Sequence, residues 1–147
     1  MGVHFAQQPG LPAFIVLPRL PEGCASFIVP DNRNEPHLHV GDVAVIDPDD
    51  RTPDHGDLFL VQWNDGHKQI VETRRFSRPD SIVGWDGVTE YWQLCWDMEM
   101  RSVDGEASRT TRWADGPYST DNTRQKILGR VVAILQPAFE GPVKITA

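Results

Sequence analysis

The chain has 147 residues, 39% hydrophobic and 24% charged, with a formal charge of −7. That length fits one domain with a real core, and no apolar run approaches the ~20 residues of a membrane helix. Acidic residues outnumber basic ones by 21 to 14, which repels phosphate backbones and argues against direct nucleic-acid binding by this chain alone.

The first 25 residues read as an N-terminal segment ahead of a β domain over 26–147. The opening stretch MGVHFAQQPGLPAFIVLPRLPEG lacks a basic start, and prolines break its apolar run. It does not have the pattern of a signal peptide, so a cytoplasmic location is expected. Cys24 and Cys95 are too few and too far apart for a zinc pattern or a disulfide framework, and two reduced thiols, mostly buried, are expected.

Twelve prolines and twelve glycines punctuate short stretches rich in Val, Ile, Phe and Leu, a pattern of strands and turns. In chain order the strands are predicted at Ala13 to Leu17, Ser26 to Val29, Asp42 to Ile46, Leu58 to Trp63 and Gln69 to Phe76. Further strands are predicted at Ser81 to Trp85, Tyr91 to Met100, Arg109 to Ala114 and Ile127 to Leu135. No window carries a helical period over three turns. Between Leu58 and Phe76, Asn64-Asp65-Gly66 tolerates positive φ, which predicts an antiparallel hairpin. Val40-Gly41-Asp42 and the stretch Asp47 to Gly56 read as turns. The run Ser102 to Ser108 reads as the tip of a long hairpin with arms WQLCWDMEM and RTTRWAD. The basic cluster Arg74, Arg75 and Arg78 reads as a solvated strand end.

From Val29 the sequence runs VPDNRNEPHLHVGDVAVIDPDDRTPDHGDLFLVQWNDGHKQIVETRRF, and near the end it reads KILGRVVAILQP. Glu35-Pro36, Gly41-Asp42, an apolar strand ending at Asp47, Gly56-Asp57, the Asp65-Gly66 turn and the terminal Gly-Arg-Val-Val follow one another in order. This set resembles the self-cleaving LexA, UmuD and phage-repressor C-terminal domains over roughly Ser26 to Pro137. The resemblance implies an all-β, partly closed barrel that forms homodimers, enlarged here by a hairpin at about Tyr91 to Tyr118.

The same alignment puts the catalytic serine position at Arg33. The lysine position falls on Glu72 when counted from the Asp65-Gly66 turn, or on Arg74 when counted back from Phe76. In that family a lysine of lowered pKa takes the serine proton. Arginine has no hydroxyl and does not serve as a deprotonated base. No Ala-Gly or Cys-Gly cleavage bond precedes the core, and no helix-turn-helix domain is visible, so the layout is nearer to UmuD. A non-catalytic regulatory or protein-interaction module is therefore expected, in a bacterial or phage stress-response or mobile-element setting, with homodimerisation and an unidentified protein partner. No cofactor is expected. The apolar stretch from Ile127 to Leu135, with Ile127, Leu128, Val131, Val132 and Ile134, is the expected dimer edge. A charge pair between Arg33 and Glu72 is expected in place of the dyad, whereas the Arg74 register would set two arginines face to face with an acid such as Asp31 between them.

Two alternatives belong to other classes. One is an active self-processing peptidase with a displaced dyad, for which Ser26 and Lys68 are the nearest candidates. The other is a cupin-like metal-binding barrel in which His37 and His39, alternating on a strand near Glu35 and Asp42, supply ligands. The five tryptophans at 63, 85, 92, 96 and 113 either fill the core under the enlarged hairpin or form an aromatic binding or dimer surface.

Overall fold

The computed structural model describes residues 14–76, 89–103 and 105–136; within 98–103 and 106–112 only the backbone is described. Among the described residues eight strands and one helix follow in order: β1 (Ile15–Leu17), β2 (Ala25–Ile28), β3 (Val43–Asp47), β4 (Asp57–Gln62), β5 (Lys68–Arg75), β6 (Tyr91–Val103), β7 (Glu106–Ser119), α1 (Thr120–Lys126) and β8 (Ile127–Leu135). The class is all-β. The strand expected at Ser81 to Trp85, with Trp85 and Arg78, lies outside the described residues.

The sheet order is β2-β3-β8-β4-β5-β6-β7, and β1 adds to β8 in parallel through Ile15↔Ala133 to Leu17↔Leu135. Every other pairing is antiparallel. β2 and β7 end the order without pairing to each other, so the sheet is open and the barrel closure implied by the resemblance is not established.

β4 and β5 carry apolar residues on both faces, because both faces are covered. Leu58, Leu60 and Ile70 enter one core with Val29, Leu38, Ala44, Ile46 and Val131. Their strand neighbours Phe59, Val61 and Val71 enter the other with Leu94 and Ile127, against which Trp63, Trp96 and Tyr118 pack. A strand buried on both faces reads as a near-continuous apolar run, as LFLV and IV do here. The expected hairpin turn is present: Gly66 has φ +88° and donates to the Trp63 carbonyl at 2.9 Å, and Trp63 donates to the His67 carbonyl at 2.9 Å.

The expected edge from Ile127 to Leu135 is corrected by this topology. β8 is a central strand, bonded on one side to β3 and on the other to β4 and β1. Ile127, Val131 and Ala133 are buried, and Leu128, Val132 and Ile134 are partly buried. With both edges of β8 already paired, pairing through it across a dimer would first require unpairing its own neighbours. Gly129 lets the neighbours close in: a Cβ there would collide with the Asp47 carbonyl oxygen and stand 2.6 Å from Ile46 Cγ2. The ladders on both sides shift register at this level, between Val45 and Ile46 and between Leu60 and Val61.

Helix α1 was not predicted. Its seven residues make two turns, too short for a periodic apolar face to register. Its end signals were nevertheless present: the Ser119 hydroxyl accepts from the Asn122 amide at 3.2 Å, Asp121 stands in the first turn, and Arg124 and Lys126 stand in the last.

Candidate functional site

The residues singled out by their order in the sequence meet where β5 and β6 diverge. β5 and β6 pair only from Glu72↔Cys95 to Arg75↔Trp92. Beyond Cys95, β6 turns away through Asp97, whose φ of 60° is left-handed. The turn segment around residues 31–38 docks into this fork. The Asp97 amide donates to the Arg33 carbonyl at 2.7 Å, and Asn34 Nδ2 donates to the Ile70 carbonyl at 2.9 Å. Asn34 is 5% exposed, so these bonds form away from water, where an unmade one costs most. Within the segment, Asn34 holds a turn by accepting from His37 and Leu38, and Leu38 is fully buried in the core.

The side chains at the two aligned positions do not pair with each other. Arg33 turns outward, with Nε 3.5 Å from Asp31 Oδ2 and the Arg33 amide donating to Asp31 at 3.1 Å. Glu72 points into the fold, is completely buried, and accepts from Arg74 Nε at 2.5 Å. The expected Arg33–Glu72 pair is thus replaced by two separate pairs, one exposed and one partly buried. The reason is local. Docking through the Arg33 carbonyl frees its side chain for the acid two residues back, while Arg74 shares a face of β5 with Glu72.

Ser26 and Lys68 are not brought together. Ser26 is in β2, opposite Val45, and Lys68 begins β5, so β3, β8 and β4 lie between them in the sheet. His37 and His39 do not alternate on a strand, because residues 31–38 form turns rather than β structure. His37 is buried, whereas His39 is exposed, with Nδ1 3.3 Å from Glu35 Oε1 and its amide donating to Asp42 at 2.8 Å. No group of three or more His, Cys, Asp or Glu suited to a metal occurs among the described residues.

A second polar constellation escaped the sequence. Arg130, the arginine of Gly-Arg-Val-Val, reaches Asp50 at 2.8 Å and Asp54 and Asp57 at 2.5 Å, and its guanidinium lies 4.8 Å from the Phe59 ring centre. Burial works against its charge, but Asp54, Asp50 and Asp57 outweigh this and hold its pKa above the ordinary arginine value. Asp57 belongs to Gly56-Asp57, so two of the sequence signatures lock onto each other. Their pairing was readable only as order along the chain, since 73 residues separate the partners.

The tryptophans divide between the two expectations. Trp92 is 2% exposed and donates to Thr120 Oγ1 at 2.9 Å, a core role. Trp63 and Trp96 pack edge to face at 6.1 Å, and Trp63 Nε1 donates to Gln69 at 2.9 Å. Trp113 pairs across the hairpin with Trp96 and is 57% exposed. Nearby, Tyr118 donates to Asp115 at 2.6 Å; burial, together with that carboxylate, pushes its hydroxyl up to about 12. Burial and the charges of Asp47 and Asp49 likewise raise the Cys24 thiol.

No family model, curated protein or solved structure matches the chain in the three comparisons made.

Proposed function

We propose that this protein is a non-catalytic module of the LexA and UmuD type, working in the cytoplasm as a homodimer that presents a surface to another protein. In this reading the open sheet corresponds to the partly closed barrel of those proteins. The observation that carries it is the docked turn around residues 31–38. It meets β5 beside Glu72 as a nucleophile loop would meet its base strand, yet the position aligned with serine carries a guanidinium held by Asp31, and the buried Glu72 carboxylate is engaged by Arg74. An acid–base step needs a nucleophile within reach of a base that can take its proton. Arg33 has no hydroxyl to offer, and Glu72 is engaged as an ion pair. The same residues make good structure, because they close the fork between two strands.

The interlock of Asp57 with Arg130 also supports the reading, since it gives the ordered Gly-Asp and Gly-Arg signatures a shared structural job. The test is incubation of purified protein at alkaline pH with fragment analysis by mass spectrometry, in parallel with labelling by a serine-directed phosphonate. Intact, unlabelled protein is the expected result. Self-cleavage abolished by Ser26→Ala or Lys68→Ala would overturn the reading and favour the displaced dyad.

A further inference from the structure

β7 departs from its ladder with β6 between Leu94↔Asp115 and Trp92↔Tyr118, where Gly116 and Pro117 together stand opposite Gln93. A bulge of this kind takes backbone groups out of the ladder. The Gly116 amide, so released, donates to the side chain of the residue before it, Asp115 Oδ1, at 3.0 Å. Gly116 is exposed, has φ +112°, and would set a Cβ 2.8 Å from the Trp92 carbonyl oxygen, so a side chain there would be both strained and crowded. The second carboxylate oxygen, Asp115 Oδ2, accepts from the Tyr118 hydroxyl at 2.6 Å. Burial and the Asp115 carboxylate push that hydroxyl up to about 12, so it carries its proton at neutral pH.

We propose that Asp115-Gly116 is a site of self-modification, at which the Gly116 nitrogen closes on Asp115 Cγ to form a cyclic imide that water opens to isoaspartate. The two hydrogen bonds supply the proton movements. As the N–Cγ bond forms, the amide proton passes to Oδ1 and the Tyr118 proton to Oδ2, leaving a tetrahedral carbon with two hydroxyls. The Cγ–Oδ2 bond then breaks, Oδ2 departs as water with the proton from Oδ1, and Tyr118 regains a proton from solvent. Nothing is oxidised or reduced. Water adding to the Asp115 backbone carbonyl of the imide breaks its bond to nitrogen and gives isoaspartate; adding to Cγ it restores aspartate. The fold contributes proximity of nitrogen and carboxyl and a positioned acid. Asp65-Gly66 has the same two residues without the arrangement. There the Gly66 amide donates to the Trp63 carbonyl and Asp65 Oδ1 accepts from the His67 amide, both at 2.9 Å, so nitrogen and carboxyl are held by other partners. The step needs only one copy of the chain.

The experiment ages the whole chain at physiological temperature and neutral pH and follows isoaspartate at positions 115 and 65 by electron-transfer fragmentation, which separates it from aspartate of equal mass. In the folded protein it should build up about tenfold faster at 115 than at 65, preceded by a species one water lighter. In urea the two positions should age at similar rates, because the difference lies in the fold. Tyr118→Phe, with folding established by circular dichroism, should slow the step at 115 about tenfold and leave position 65 unchanged. Equal rates at the two positions in the folded protein, a difference that persists in urea, or a folded Tyr118→Phe variant that ages at 115 as fast as the unmodified protein would overturn the proposal.

Discussion

At the scale of single residues, the balance between Glu72 and Arg74 is the sharpest case. The Glu72 side chain is 1% exposed and that of Arg74 is 30% exposed, so desolvation falls mainly on the carboxylate. Removing one member of a buried pair leaves the other charge poorly compensated, whereas replacing both with apolar groups removes the desolvation penalty as well. Arg74→Ala should therefore cost roughly 2–3 kcal/mol, the partial exposure of Arg74 keeping it below the fully buried case. Glu72→Met combined with Arg74→Met should come within about 1 kcal/mol of the unmodified protein. Urea unfolding of Arg74→Ala reads that loss, and Glu72→Met, Arg74→Met and the double variant together form a cycle. Additive single effects would mean that the contact carries no coupling. Position 72 was visible in the sequence as a candidate only through its count from the Asp65-Gly66 turn; that its partner is Arg74 was not visible, because Arg33 stood equally well in the ordered motif.

Among the elements, the docked turn is held by buried hydrogen bonds whose loss has a defined consequence. Asn34→Ala leaves the Ile70 carbonyl without its donor in a buried site, a loss of about 1–2 kcal/mol. Because the same segment supplies the acceptor for the Asp97 amide, hydrogen exchange at Asp97 should quicken in this variant, while exchange in the β4–β5 ladder is little changed. Unaltered protection at Asp97 would mean that the turn docks without Asn34. The strands themselves were largely legible. Val, Ile and Phe runs bounded by Pro, Gly and Asx residues placed β3, β4, β5 and β8 within a residue or two, because turn chemistry is local. β6 and β7 were placed but run longer than predicted. The residues missed, Arg101 to Val103, Glu106 to Ser108 and Asp115 to Ser119, are mostly polar or turn-forming and give little apolar signal, whereas ladder hydrogen bonds continue regardless of side chain.

For the whole molecule, the two cores are opposite faces of one set of strands. Leu60 and Val71 lie in different cores, yet each belongs to a strand that lines both. Melting one face must remove the support of the other, so unfolding should be a single cooperative step. Leu60→Ala and Val71→Ala should each cost about 2–4 kcal/mol of stability, with circular dichroism and tryptophan fluorescence moving together. Separated transitions for the two probes would show that the faces unfold independently.

The chain's local chemistry alone determined the all-β class, the hairpin turns and most strand positions, because each depends on contacts between near neighbours in sequence. Only the tertiary structure decided that β8 is a central strand rather than an edge, since its pairing with β1, β3 and β4 spans most of the chain and leaves no local trace. The same holds for Arg130 among Asp50, Asp54 and Asp57, and for Glu72 turning to Arg74 instead of Arg33. A charge selects its partner by distance after folding, and distance between remote residues is set by strand order, which hydrophobic pattern and turn residues do not encode.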